Sequence, residues 1–326
     1  MGDAGGPGPR ASPDPEVSFC ATNLNTGATL TESLESVERL GQAIGRPFEI
    51  VVADGPSEPE IRRRLVEWQR AAAGRVLTTQ DARNRGKGRR LAFEASRGRW
   101  IVPFDTSIVY APLFGGILRA FFEAAEDRFL FSEICAIPRA AVVEAGGWRD
   151  LVGGEDVDLY APIVARQGIL AYPTGDSSSQ SANLGSYARQ MRYAGRSRLR
   201  RVVRMLQTQR DQMIGANYRV ADLMAFNRRK SGSFRAMAYG WFVTARILAA
   251  FRRIPRRSVP GRNNYLYLRE QMILSMERGD FRRLGGAPGP PARLPLTEDE
   301  RTYLDRRSEL WRRVSAEHPD WFPVKR

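Results

Sequence analysis

Three short apolar runs, each followed by a polar or acidic residue, constrain this chain more than any other feature. Val17 to Ala21 leads towards Asn25, Phe48 to Ala53 into Asp54, and Trp100 to Phe104 into Asp105. Runs this apolar suit strands buried on both faces of a sheet. Helical patterns separate them. Leu30, Leu34, Val37 and Ile44 follow Thr29 and Glu32, which have capping-box spacing. Ile61, Leu65, Trp68 and Ala72 follow a second such pair, Ser57 and Glu60, with Pro59 in the first turn. Arg75 to Thr79 is a further strand, and the loop from Asp81 to Gly88 opens a helix carrying Leu91 and Ala95. Strand and helix in alternation predict an α/β fold with a mixed, mainly parallel sheet flanked by helices. Open sheets of that kind take their ligands outside the C-terminal strand ends, where Asn25, Asp54 and Asp105 stand.

Beyond the third run, Pro112 to Asp127 reads as a helix and Phe129 to Ile137 as a β-prone segment. Gly146-Gly147-Trp148-Arg149-Asp150 is a loop. After Gly153 and Gly154, three carboxylates (Glu155, Asp156, Asp158) open a helical pattern, where the helix dipole favours ionised acids. The same residues also serve plain helix capping. Tyr187 to Met205 is an arginine-rich stretch, for most of whose arginines a solvated basic helix face is the competing reading. Ser233 to Arg253 and Tyr265 to Met276 follow as helices, residues 285–295 (GGAPGPPARLP) as a linker, and Thr297 with Glu300 caps a last helix carrying Leu304, Trp311 and Val314. The expected division is a disordered tail over residues 1–15, a first domain over 16–184 and a basic helical region over 185–326.

Composition narrows the chemistry. The single histidine, His318, argues against histidine triads, multi-histidine zinc sites and a histidine base, so acid–base work falls to carboxylates. Cys20 and Cys135, far apart in apolar runs, read as small buried hydrophobes of a reducing compartment. Lys and Arg number 51 against 36 Asp and Glu, and the excess is one-sided. Residues 1–184 hold 20 basic and 24 acidic side chains; residues 185–326 hold 31 and 12, a net +19. The second half therefore faces something anionic, unless the arginines reflect only a genome that uses them freely. No secretory signal is visible, and Ala236 to Phe251 is too short, with Arg246 inside it, for a membrane span.

Five segments resemble the family 2 glycosyltransferases of GT-A (Rossmann-like) fold, over roughly residues 16–200. Val17 to Asn25 is similar to the family's opening strand and P-T-Y-N-E turn. Glu49 to Gly55 resembles E-I-I-V-V-D-D-G, and Asn84-Arg85-Gly86-Lys87-Gly88 resembles N-x-G-K-G. Trp100 to Ser107 resembles the strand ending in D-x-D. Gly146-Gly147-Trp148 and Gly154 to Leu159 resemble the G-G-F and G-E-D-x-D-L pair. The resemblance implies a nucleotide-sugar site built from Thr22, Asn25, Asp54, Lys87, Asp105 and Ser107, with Arg192 and Arg196 closing over the diphosphate. It implies that Asp54 accepts from the base, Lys87 faces the diphosphate, and Asp105 stands beside the sugar and a Mg²⁺ or Mn²⁺ ion. Asp156 is then the general base of an inverting transfer, while Trp148, Glu155 and Asp158 shape the loop or orient the acceptor. Ser107 departs from the family's second aspartate, and a hydroxyl is a weak ligand for a hard cation.

The expected activity is transfer of a sugar from a nucleotide diphosphate donor to a hydroxyl, lipid-linked or on a glycan. The other reading is a donor-binding pseudoenzyme or assembly subunit, because the motif is Asp105-Thr106-Ser107. The expected location is the cytoplasm, with peripheral attachment at the inner face of the membrane if the helix at 233–253 lies on anionic headgroups; a core helix is the competing reading. Nucleic acid ranks lowest as a partner, since no reader motif accompanies the charge.

Overall fold

Helix and strand alternate where the apolar periodicity places them. The computed structural model describes residues 14–27, 29–71, 74–78, 82, 84–124, 127–172, 179–181, 197–226, 231–255, 257, 259, 263–285 and 293–324. The first half runs β1 (Val17–Asn23), α1 (Leu30–Ala43), β2 (Phe48–Asp54), α2 (Pro59–Ala71), β3 (Gly74–Thr78), α3 (Arg85–Ala95) and β4 (Trp100–Pro103). It continues through β5 (Ile108–Tyr110), α4 (Leu113–Glu123), β6 (Phe129–Phe131), β7 (Ile137–Pro138), α5 (Arg139–Glu144), α6 (Glu155–Gln167), β8 (Ile169–Ala171) and β9 (Ser179–Ser181). The basic C-terminal region is helical: α7 (Arg198–Gly215), α8 (Val220–Phe226), α9 (Gly232–Phe251), α10 (Asn264–Glu277), α11 (Glu298–Arg307) and α12 (Glu309–Glu317).

The main sheet has the order β3-β2-β1-β4-β7, parallel except for β7, which pairs antiparallel with β4. This is the expected mixed, mainly parallel sheet. Helices cover both faces, which explains why β1 and β2 are buried almost throughout instead of alternating. On one face Phe19, Ile50 and Val102 pack with Leu34 and Leu40 of α1 and Phe114 and Phe121 of α4. On the other, Val51 and Ile101 share a core with Leu159 of α6, Met272 of α10 and Trp311 of α12. Of the C-terminal helices, α10, α11 and α12 thus pack into the same core as the sheet, whereas Met213 and Ile214 of α7, Leu223 of α8 and Phe242 of α9 form a separate cluster around Leu151.

Chain progression moves from β1 to β2 to β3 on one side, then returns to place β4 on the other side of β1. The order therefore reverses between β1 and β4, and a crevice opens there at the C-terminal strand ends.

Several local expectations are corrected. Thr29 precedes α1 but makes no side-chain cap bond. Ser57 does not cap α2, because its hydroxyl turns to Asp54 instead, at 2.6 Å. The helix expected over 112–127 ends at Glu123, and the segment 129–137 is two short strands, β6 and β7, with a turn between. The single last helix is two, since Ser308 accepts from the Trp311 N–H at 3.0 Å and starts α12 afresh. The capping box of Thr297 and Glu300 forms as expected. Cys20 and Cys135 are free thiols, and burial pushes both up to about 12. Most of the expected tail (1–13) and most of the linker (286–292) lie outside the described residues.

Candidate active site

The crevice is built from four chain segments. β1 brings Thr22, and the turn after β4 brings Asp105, Thr106 and Ser107. The first turn of α3 brings Arg85, and the loop before α6 brings Val152, Gly153, Gly154 and then Glu155. Together with Arg204 and Gln212 of α7 they line a cleft of about 230 Å³.

Asp105 is fixed through its backbone. Its N–H donates to Tyr110 Oη at 3.0 Å, and its carbonyl accepts from Ser33 Oγ at 3.3 Å. Next to it, Thr106 Oγ1 donates to Asn23 Oδ1 at 3.1 Å, and Asn23 Nδ2 donates to Asp54 Oδ1 at 2.8 Å. The strand ends that the sequence marks with Asn25, Asp54 and Asp105 are therefore linked, through Asn23. Asn25 ties the same edge together with a left-handed backbone (φ 54°), its Oδ1 accepting from the Glu58 N–H at 2.7 Å. Asp54 itself is fully buried. Among the described residues its Oδ2 accepts no hydrogen bond, with Arg62 Nε at 3.8 Å, and burial pushes its carboxyl above the usual aspartate value against the hydrogen bonds of Ser57 and Asn23.

The first turn of α3 is docked, not free. Asn84 caps the helix by accepting from the Lys87 N–H at 2.9 Å and donates its amide to Asp150; the Gly86 N–H donates to the Leu151 carbonyl at 3.1 Å. That docking aims Arg85 and Arg89, one turn apart, at the acids. Arg85 Nη2 lies 3.0 and 3.1 Å from the two oxygens of Asp105, and its Nε lies 3.1 Å from Glu155 Oε1. Arg89 Nη2 donates to Asp105 Oδ1 at 3.2 Å and to Asp156 Oδ2 at 3.1 Å, while its Nε lies 3.1 Å from Asp156 Oδ1. One guanidinium thus joins residues 105 and 156, which are far apart in sequence. Burial pushes Glu155 up to about 7, since desolvation and Asp156 outweigh Arg85 and Arg89.

Of the expected site residues, Thr22, Asp105, Ser107 and Glu155 line the cleft. Asp156 lies beside them, a quarter exposed, held by Arg89 and by the indole N–H of the buried Trp148 at 3.1 Å. Asp158 does not face the cleft: fully buried, it is bound by Arg149, with Nε at 2.7 Å, and by Arg257, and so pins the 146–150 loop. Lys87 is not among the cleft's described lining residues, where the cations are Arg85 and Arg204. Arg192 and Arg196 lie outside the described residues. Sequence reasoning missed Arg85, Arg89 and Asn23. The i, i+4 spacing of the two arginines at a helix N-terminus was the available signal for the pair.

A divalent cation needs hard oxygen ligands open to coordination. Both oxygens of Asp105 accept from guanidinium groups, and Ser107 stands where a second carboxylate is expected. Among the described residues no group of three His, Cys, Asp or Glu side chains is arranged to hold a metal ion. The donor set does not fit the Mg²⁺ or Mn²⁺ ion that the resemblance implies.

Residues 18–129 match the family model described as glycosyl transferase family 2, which bears out the resemblance over the segment carrying Asp54, Lys87 and Asp105. The match stops before Asp156. No curated protein matches the chain in sequence. Among solved structures, S. aureus TarS 1-349 in complex with UDP-GlcNAc is similar at 13% identity and a TM-score of 0.46, covering 94% of this chain and 92% of that one. The mannosyltransferase PcManGT from Pyrobaculum calidifontis, in complex with GDP-Man and Mn²⁺, is similar at 14% identity and a TM-score of 0.42, covering 84% and 86%. The chain spans 54% of the longer S. aureus TarS chain, at 12% identity and a TM-score of 0.43.

Proposed function

We propose that the protein is an inverting glycosyltransferase that moves a sugar from a nucleotide diphosphate donor to a hydroxyl acceptor. The observation that carries the reading is the joining of Asp105 and Asp156 by Arg89 at the rim of a cleft set at the sheet's switch point. In this reading the nucleotide end lies over the β1 and β2 ends, near Asp54, and the diphosphate lies by Arg85. Asp156 takes the proton of the acceptor hydroxyl while that oxygen attacks the anomeric carbon from the face opposite the diphosphate. The bond from the anomeric carbon to the diphosphate oxygen breaks as the new one forms, which inverts the centre. The arginines face the negative charge that gathers on the leaving group, where fixed donors act most strongly.

Exposed apolar side chains on α9 (Met237, Ile247, Leu248, Phe251) and α7 (Leu199, Val202, Val203), set among Arg198, Arg200 and Arg201, support an acceptor presented at an anionic membrane surface. No described helix is long and apolar enough to cross a membrane. Ser107 favours the second reading, a donor-binding protein without turnover.

A panel of UDP-, GDP- and dTDP-sugars, read by thermal shift and then by transfer assay, tests the proposal. The expected result is binding of one donor class, with Asp156→Asn keeping that binding while transfer falls by about a hundredfold or more. Binding without turnover across donors and acceptors assigns the protein to the second reading. Absence of any nucleotide binding removes both.

A further inference from the structure

We propose that Arg85 takes the place of the divalent cation, so that this site binds the donor diphosphate without metal. The inference rests on the donor-binding reading above and concerns how its charge is neutralised. Three carboxylates surround the candidate phosphate position, and each is already partnered. Asp105 accepts from Arg85 and Arg89, Glu155 lies 3.1 Å from Arg85 Nε, and Asp156 is bracketed by Arg89 Nε and Nη2. An incoming cation has to displace a guanidinium from both Asp105 oxygens and then sit beside two positive charges.

The same bonds give Arg85 a defined direction. Its side chain is half exposed, it lines the cleft, and its Nη1 donates no hydrogen bond to a described residue. Asp105 and Glu155 therefore act as positioning residues, fixing Nη2 and Nε and leaving one edge of the fork for phosphate oxygens. A guanidinium suits that role because its planar donors reach two oxygens at once. Arg89, nearly buried, is the counter-ion that keeps Asp105 and Asp156 together, and its Nη1 also has no hydrogen-bond partner among the described residues.

The test is calorimetric titration of the full-length protein with UDP and GDP, once with EDTA and once with Mn²⁺. The expected result is a dissociation constant that differs by less than about threefold between the two buffers. Arg85→Ala should weaken binding by about ten- to a hundredfold in EDTA, and Arg85→Lys by less. Arg85 is half exposed, so the variants should keep the wild-type far-ultraviolet spectrum. Mn²⁺ titrated alone, followed by electron paramagnetic resonance, should show no bound ion in the wild type. Nucleotide binding that tightens tenfold or more with Mn²⁺, or Arg85→Ala binding as wild type, overturns the inference while leaving the donor reading in place. Failure of every nucleotide in both buffers removes the donor reading and this inference with it.

Discussion

The indole N–H of Trp148 donates to Asp156 Oδ1 at 3.1 Å, from a ring that is itself buried against Phe93 with centroids 5.9 Å apart. A carboxylate on the first turn of a helix has rotational freedom, and this bond removes much of it from one side while Arg89 grips the other. Trp148→Phe keeps an aromatic ring in the core and deletes only the donor. With Asp156 as the base, kcat/KM should fall about tenfold while the donor dissociation constant stays as it is, the value of one hydrogen bond to a charged group. A steady-state assay alongside calorimetry checks this. Equal losses in binding and turnover point instead to a purely structural role.

Glu155 carries a pH signature. Its carboxyl is held up at about 7 by burial, with Asp156 adding to the rise and Arg85 and Arg89 opposing it. A carboxyl whose folded value is raised contributes stability that is fully present below the ordinary glutamate value and is lost as pH rises through about 7. Glu155→Gln mimics the protonated form at every pH. The melting temperature of the variant relative to wild type should therefore rise between pH 5 and pH 8, by the equivalent of roughly 2–3 kcal/mol. Parallel curves for the two proteins across that range contradict the assignment.

The sheet was legible because β1, β2 and β4 are mostly apolar on both faces and alternate with amphipathic helical patterns, a combination that suits a parallel sheet covered on both sides. The acids at its edge were legible for the same reason, since Asp54 and Asp105 follow directly where the apolar runs end. What a linear reading could not supply is which charges meet. Arg85 stands inside a glycine motif and Arg89 directly after it, and only the docking of the first turn of α3 on the 149–151 loop turns them toward the acids. Asp158, two residues from Asp156, points the other way because the helix turns by about 200° over two residues. Capping pairs were misread where a tertiary partner competed: Ser57 prefers Asp54 to a helix end.

Asp211 connects the basic region to the cleft. It is fully buried, and its Oδ2 accepts from the Val152 N–H at 2.8 Å while Oδ1 takes Arg210 Nε and Arg252 Nη1, each at 2.7 Å. One carboxylate thus holds a cleft-lining loop, α7 and the end of α9 together. Asp211→Asn leaves two guanidiniums without their counter-charge and should cost about 3–5 kcal/mol. Denaturant unfolding gives the loss, and amide exchange should quicken first at residues 151–154. An unchanged unfolding midpoint is incompatible with this anchoring role.

Gly86 tests whether the glycine motif serves a ligand or the fold. Glycines here suggest close backbone approach to a diphosphate, yet a Cβ on Gly86 meets protein: the Arg149 carbonyl oxygen at 2.1 Å and the Leu151 nitrogen and oxygen at 2.8 Å. All three are backbone atoms, so none can swing aside as a flexible side chain does. Gly86→Ala must push the first turn of α3 away from the 149–151 loop, breaking the Gly86 N–H bond to Leu151 and shifting Arg85 from Asp105. The expected cost is about 1–3 kcal/mol of stability. The displaced guanidinium should also weaken UDP or GDP binding by about tenfold, even at temperatures where the protein is fully folded. Lower stability with unaltered nucleotide affinity confines Gly86 to packing and separates the helix turn from the binding site. Loss of both together means that the close approach of α3 to this loop is what sets the arginines in place.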